Sequence, residues 1–214
     1  MLRLAVLFLL LSGSLFSTLL FADSVRKSPD FTFELQGGVY EPEDEKWESY
    51  YGSKRMLEMS MSFAYRFFSV VDIGTSFSFG QDKGKGVLPL SQLRSGTVSY
   101  EIFPVDIFAV LRARFSDRQW IVPYAGGGYT RFFYRQSIDG EGYARGSVDG
   151  LHAKAGLQFL LDPLEPESAK NMYSNYGVIN SYLVFEGKIT KAQAGTPAVK
   201  LGGTSYRVGI LVEY

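Results

Sequence analysis

The stretch Leu151-His152-Ala153-Lys154-Ala155-Gly156-Leu157-Gln158-Phe159-Leu160-Leu161 alternates almost from end to end. Leu151, Ala153, Ala155, Leu157, Phe159 and Leu161 form one set, and His152, Lys154, Gly156 and Gln158 form the other. Successive side chains of a strand point to opposite faces, so this period of two marks an extended segment with one apolar and one polar face. A helix would instead gather its apolar residues three and four apart.

The same pattern recurs outward in both directions. Downstream, Ile179, Leu183, Phe185 and Ile189 oppose Asn180, Glu186 and Lys188, and Tyr206, Val208, Ile210, Val212 and Tyr214 oppose Arg207, Gly209 and Glu213. Upstream, Phe31, Phe33, Leu35 and Val39 oppose Thr32, Glu34 and Gln36. Leu57, Met59, Met61, Phe63 and Tyr65 oppose Glu58, Ser60, Ser62 and Arg66, and Val71, Ile73, Phe77 and Phe79 oppose Asp72, Gly74, Ser76 and Ser78. Segments of about ten alternating residues are the signature of strands that cross a membrane as a closed barrel.

Two segments are less regular. From Ser95 to Phe115, Val98, Tyr100 and Ile102 share a face before Pro104, while Val105, Ile107, Ala109, Leu111 and Phe115 share one after it. Proline cannot donate to a ladder, so Pro104 is expected either as a bulge inside one long strand or as a turn between two. One long strand is preferred because it keeps the count even, at about eight. From Trp120 to Tyr134, Val122, Tyr124, Phe132 and Tyr134 face away from Arg131 and Arg135, and Gly126, Gly127 and Gly128 mark a kink or close packing.

The connections sort by length. They are short around Phe68 and around 116–119, and longer and polar over 41–53, 81–92, 136–148 and 191–203. Outer-membrane barrels have short turns on the periplasmic side and long loops outside. The segment 162–177 breaks that rule, and Asp162, Pro163 and Glu165 are expected to start a short helix there by a capping arrangement.

Composition agrees with an exported all-β chain. It has 17 Phe, 14 Tyr and 23 Gly in 214 residues. Arg3, the apolar run 4–20 and Ala22 resemble a cleaved export signal over 1–22, leaving a barrel over 23–214. Cysteine is absent, which removes disulfides, thiolate metal sites and lipid attachment at cysteine. Lys plus Arg equal Asp plus Glu at 22 each, so the charge offers nothing for nucleic acid.

A soluble barrel keeps its apolar set inside, whereas a membrane barrel puts the polar set there. The polar set carries both signs in near balance, as a narrow lumen requires, because an unpaired buried charge costs several kcal/mol. The expected lumen residues are Glu34, Glu58, Arg66, Asp72, Glu101, Arg112, Arg114, Arg131, His152, Lys154, Glu186, Lys188 and Arg207. Aromatics near segment ends, among them Tyr40, Tyr65, Phe67, Phe68, Phe103, Trp120, Tyr124, Phe132, Phe133 and Tyr134, are expected to form girdles at the two interfaces.

At the C-terminus, Arg207, Gly209, Val212 and Tyr214 resemble the assembly signal of outer-membrane barrels, with a polar residue, a glycine, a hydrophobic residue and a final aromatic. The segment Pro123-Tyr124-Ala125-Gly126-Gly127-Gly128-Tyr129 resembles a strand common among the small barrels similar to the OmpA transmembrane domain and the OmpW-like proteins. That resemblance implies an antiparallel up-and-down transmembrane β-barrel in the outer membrane of a Gram-negative-type bacterium. It also implies lipid and the barrel-assembly machinery as partners, and a monomer. Val212 departs from the aromatic often found at its position.

Little in the chain suggests catalysis. Lipid A deacylases of this size pair a strand histidine with a serine two residues later, and here Lys154 follows His152 at that spacing. The glycines at 140, 142 and 146 lack the spacing of a dinucleotide loop, and no Ser or Thr follows the lysine within 80–86 as a phosphate loop needs. Asp139 and Glu141 are expected as a solvated acidic turn rather than a calcium site. No cofactor is expected. The expected role is structural or surface-interacting, with an unidentified external ligand. The alternatives are a narrow channel for small or hydrophobic solutes, lined by Glu34, Glu58, Arg112 and Arg131, and a lipid A-modifying enzyme using His152.

Overall fold

A computed structural model describes residues 30–44, 47–48, 52–87, 94–116, 119–138, 142–194 and 199–214. The expected export signal over 1–22 and the acidic pair Asp139 and Glu141 lie outside the described residues.

Each alternating segment is a strand. They are β1 (Phe31–Pro42), β2 (Met56–Phe67), β3 (Val71–Val87), β4 (Arg94–Arg112), β5 (Ile121–Ile138), β6 (Gly142–Leu160), β7 (Asn180–Ala194), the two-residue β8 (Val199–Lys200) and β9 (Gly203–Glu213). A helix, α1 (Pro166–Tyr176), follows β6. All pairings are antiparallel and run β6-β5-β4-β3-β2-β1-β9-β7, and β7 pairs back onto β6 to close the ring, with β8 hanging on the end of β7. The product is a closed up-and-down barrel of eight strands. Closure leaves no sheet edge, so backbone N–H and C=O groups pair within the wall and none need face lipid unpaired.

Pro104 lies inside β4 and opposite Phe132, with no register shift there. The β3–β4 ladder holds one register from Val71↔Leu111 to Lys85↔Thr97 and slips only between Lys85 and Val87. The bulge expected at Pro104 does not form. One face parity therefore runs the length of β4, and Val98, Tyr100 and Ile102 are buried on the same face as Asp106 and Arg112.

Three of the four expected long loops are largely strand. The β5–β6 ladder continues to Ile138↔Gly142, β3 and β4 extend to Val87 and from Arg94, and β7 runs to Ala194 with β8 folded back on it. These segments are polar because they stand above the membrane and meet water, not because they lack a ladder, and Val148, Ala192 and Leu201 within them are buried against the lumen cluster.

The opposite end is tighter. Phe68 (φ 51°) and Ser69 (φ 61°) form a two-residue turn closed by Val70 N–H donating to the Phe67 carbonyl at 3.3 Å. Both chain ends of the barrel meet there, where Asp30 N–H donates to the Tyr214 carbonyl at 2.9 Å. By the short-turn rule this is the periplasmic rim. Helix α1 sits on this side with no buried residue and no side-chain cap, and ends on Gly177 in the left-handed conformation. Asp162, expected to cap it, instead accepts from the Ser181 N–H (3.0 Å) and hydroxyl (2.7 Å), tying the connection to the start of β7.

Candidate functional site

The lumen gathers most of the chemistry. The inward set of each strand stacks into four zones, alternately charged and apolar. At the periplasmic floor, Glu213 of β9 accepts from Arg66 Nη1 and Arg112 Nη1, each at 2.6 Å, and from Asn180 Nδ2 at 2.7 Å, and Arg114 approaches it at 3.4 Å. Arg66 also forks onto Asp72 at 2.7 and 3.0 Å. Above the floor lie Ala64, Phe108, Val110, Val122, Tyr124, Leu160, Tyr182, Val184 and Leu211.

The middle zone holds two charged clusters. Glu186 accepts from Arg207, from the Tyr124 hydroxyl at 2.8 Å, and pairs with Lys154 at 3.4 Å. The Lys154 ammonium also lies 3.6 Å from the centre of the Phe108 ring, and Arg207 reaches Glu58 at 3.8 Å. In the second cluster, Asp106 accepts from Lys188, from the Ser76 hydroxyl at 2.8 Å and from the Thr130 hydroxyl at 2.7 Å. His152 Nδ1 lies 2.8 Å from the same Thr130 oxygen. Since the hydroxyl proton serves Asp106, Nδ1 carries the imidazole proton and donates to Thr130. His152 thus reaches Asp106 through the Thr130 hydroxyl, with Nδ1 itself 3.8 Å from the carboxylate. Its Nε2, together with Glu34 Oε1, Glu58 Oε2 and Gln158 Oε1, has no protein partner. Ordered water is what satisfies such atoms in a polar interior.

An aromatic stopper closes the extracellular end. Tyr40, Trp47, Met56, Tyr100, Ile102 and Phe132 pack as one buried cluster. Trp47 comes from the β1–β2 connection, stands edge-on to Tyr100 at 5.0 Å, and donates its indole N–H to Asp82 at 3.2 Å. The Tyr40 hydroxyl donates to the Leu201 carbonyl just after β8.

Eleven of the residues expected in the lumen are therefore found there. Two are not. Glu101 faces outward and pairs with Arg135 at 2.9 Å, because without a bulge at Pro104 it shares the face of Val105 and Ile107. Arg131 also faces outward, half exposed and 3.2 Å from Asp149. Register fixes this, since Thr130 and Tyr124 stand opposite Asp106 and Arg112 and carry the even face of β5 inward. Tyr40, Tyr124, Phe132 and Tyr134 go inward with that parity instead of into a girdle, while Tyr65, Phe67, Phe68, Phe103, Trp120 and Phe133 stay exposed. Asn180 and Glu213, which the alternation already sets on polar faces, and Thr130, which it does not, are lumen groups as well. The penultimate position of Glu213, in phase with Arg207 and Gly209, was the available signal.

The outer wall inverts this polarity. From the periplasmic rim, outward positions on every strand stay apolar or small for about ten residues, which spans an apolar band about 25 Å tall. They then turn polar together, at Glu41, Arg55, Gln81 and Glu101 on β1 to β4 or just beyond, and at Arg131, Asp149, Lys191 and Thr204 on the remaining strands. Glu41–Arg55 at 2.6 Å and Arg131–Asp149 at 3.2 Å are ion pairs within this ring. Phe79 and Phe103, 5.0 Å apart, sit one outward position below it.

An apolar belt around a charged, closed lumen defines a small outer-membrane β-barrel. Among solved structures, the chain is similar to Neisserial surface protein A (12% identity over 86% of this chain and 97% of that one, TM-score 0.55). It is also similar to the outer membrane protein OprG from Pseudomonas aeruginosa (15% identity over 88% and 97%, TM-score 0.57). At these identities the likeness is one of fold. No protein-family model and no curated protein matches the sequence. Among the described residues no cluster of His, Asp and Glu is arranged to hold a metal ion.

Proposed function

We propose that the protein is a monomeric, non-conducting outer-membrane barrel, whose charged lumen is a structural pillar and whose extracellular hairpins carry its interactions, without catalysis. The observation that supports this most directly is the double closure of the lumen. Glu213 ties three arginines together at one end, and the cluster around Trp47 and Tyr100 fills the other. An eight-stranded ring encloses only enough room for side chains, and both layers use it.

His152 is sealed between the two stoppers, away from any lipid that a lipid A-modifying enzyme would have to reach. The apolar belt supports lipid as the permanent partner. Arg207, Gly209 and Val212 lie on β9, which pairs with β1, and Tyr214 directly follows it, where an assembly signal read by the barrel-assembly machinery would act.

Reconstitution into planar bilayers tests the proposal. The expected record is flat at both polarities. Sustained unitary steps that change size on charge reversal of Glu58 or Arg207 would replace this reading with the narrow channel.

A further inference from the structure

Arg135 of β5 and Arg145 of β6 are direct cross-strand partners on the outward face of the wall. Like charges directly opposite one another in a sheet destabilise it. Glu101 neutralises Arg135 from the β4 side. Arg145 has no carboxylate partner among the described residues and lies over the Tyr143 ring, 6.0 Å from its centre. Both arginines are exposed. Their row is the second polar row above the apolar belt, counted from Arg131 and Asp149, with Phe133 between the two rows.

Four residues up a tilted strand is about 10 Å, which sets this row above the edge of the apolar belt, on its outer side. We infer that Arg135 and Arg145 form a binding site for a phosphate group on the headgroup of an outer-leaflet glycolipid, bound from the side of the barrel. Planar guanidinium groups on adjacent strands present parallel N–H donors that match phosphate oxygens. A monoester phosphate between them supplies the negative charge that this pair lacks. The lipid tail then runs down the belt below, past Phe133, so charge and apolar surface are recognised together. The rest of the ring differs in that Arg55 and Arg131 are each already paired with a carboxylate on the adjacent strand or connection.

The inference rests on the placement of the barrel in an outer membrane and is tested separately from it. The full-length protein is refolded into phosphatidylcholine vesicles that contain a minor fraction of diphosphorylated lipid A, of lipid A stripped of both phosphates, or of neither. Two readouts are taken, the heating midpoint of the folded band on a gel and the lipid A retained after exchange into detergent. Diphosphorylated lipid A is expected to raise the midpoint and to be retained, and stripped lipid A to do neither. Arg145→Ser is expected to weaken retention roughly tenfold, the equivalent of one lost charge-assisted contact. Arg55→Ser, on the opposite side of the barrel, is expected to leave retention unchanged. Equal retention by Arg145→Ser and the parent protein would overturn the inference. So would a midpoint rise produced equally by inorganic phosphate, which would make this a free-anion site. Loss of the heat-modifiable band altogether would count against the barrel itself, not against the lipid site.

Discussion

The Glu213 carboxylate meets the Arg112 guanidinium at 2.6 Å across the barrel floor, joining β9 to β4. These strands stand on opposite sides of the ring. The contact works as a crossbar, because the last strand to enter the sequence fixes the far wall as well as its own two neighbours. It also sets the charge balance of the floor, where Arg66 and Arg114 approach the same carboxylate.

Glu213→Gln keeps the side-chain volume and removes the charge that three arginines share. Breaking a buried pair by removing one partner costs about 3–5 kcal/mol, because a charge is left uncompensated. Urea unfolding from phospholipid vesicles, followed by intrinsic fluorescence, should show a loss in that range. A change under about 1 kcal/mol would mean that water at the floor already solvates the arginines.

The Asp106–Lys188 pair allows a sharper experiment. Lys188 lies deep in the lumen and bonds Asp106, which also accepts from Ser76 and Thr130. Asp106→Asn and Lys188→Met should each destabilise by several kcal/mol, whereas the double variant should cost less than the sum of the two. The coupling energy from a double-mutant cycle measures the pair. Strict additivity would show that the two charges are held by other neighbours.

The alternation that fixed eight strands was legible because each crossing is long enough to repeat it several times. Facing was legible only where parity stayed unbroken. Pro104 invited a bulge that would have turned Glu101 inward, and nothing local distinguishes a bulge from a proline accommodated in register; that depends on the β3 and β5 ladders alongside it. Arg131 was misplaced for another reason. The rule of polar inside and apolar outside holds only within the lipid belt, and Arg131 stands at the belt's upper edge, where the outer wall is polar and the lumen is plugged by aromatics. The crossbar at Glu213 was not legible, because its partners lie 147 and 101 residues away in sequence.

The Phe68–Ser69 turn stores strain. Both residues have positive φ, at 51° and 61°, in a turn type that favours Asn-Gly. A non-glycine residue in the left-handed region costs about 1–2 kcal/mol. Ser69→Gly should therefore raise the unfolding free energy by about 1 kcal/mol with no change in fold. No gain, or a loss, would show that the hydroxyl of Ser69 contributes a contact worth as much as the strain.

Gly126 and Gly128 set how closely β5 can approach β4. A Cβ at Gly128 would lie 1.9 Å from the Ile107 carbonyl oxygen and 2.8 Å from the Phe108 Cα, and one at Gly126 would lie 2.1 Å from the Ala109 carbonyl oxygen. The obstruction is backbone in each case, so no side chain can swing aside, and the ladder from Arg112↔Tyr124 to Val98↔Ile138 would have to shift as a whole. Gly128→Ala is expected to cost about 3 kcal/mol or to prevent closure, the upper range for overpacking in a tightly packed interior. Gly187 is the control, since a Cβ there meets nothing within 4 Å, and Gly187→Ala should stay within about 0.5 kcal/mol of the parent. The two variants are compared by the fraction that becomes heat-modifiable on refolding into vesicles and by its urea midpoint. If Gly128→Ala folds as well as Gly187→Ala, the glycines are not what holds β4 and β5 together, and the narrow ring must owe its closeness to the Asp106 and Thr130 contact across the same two strands.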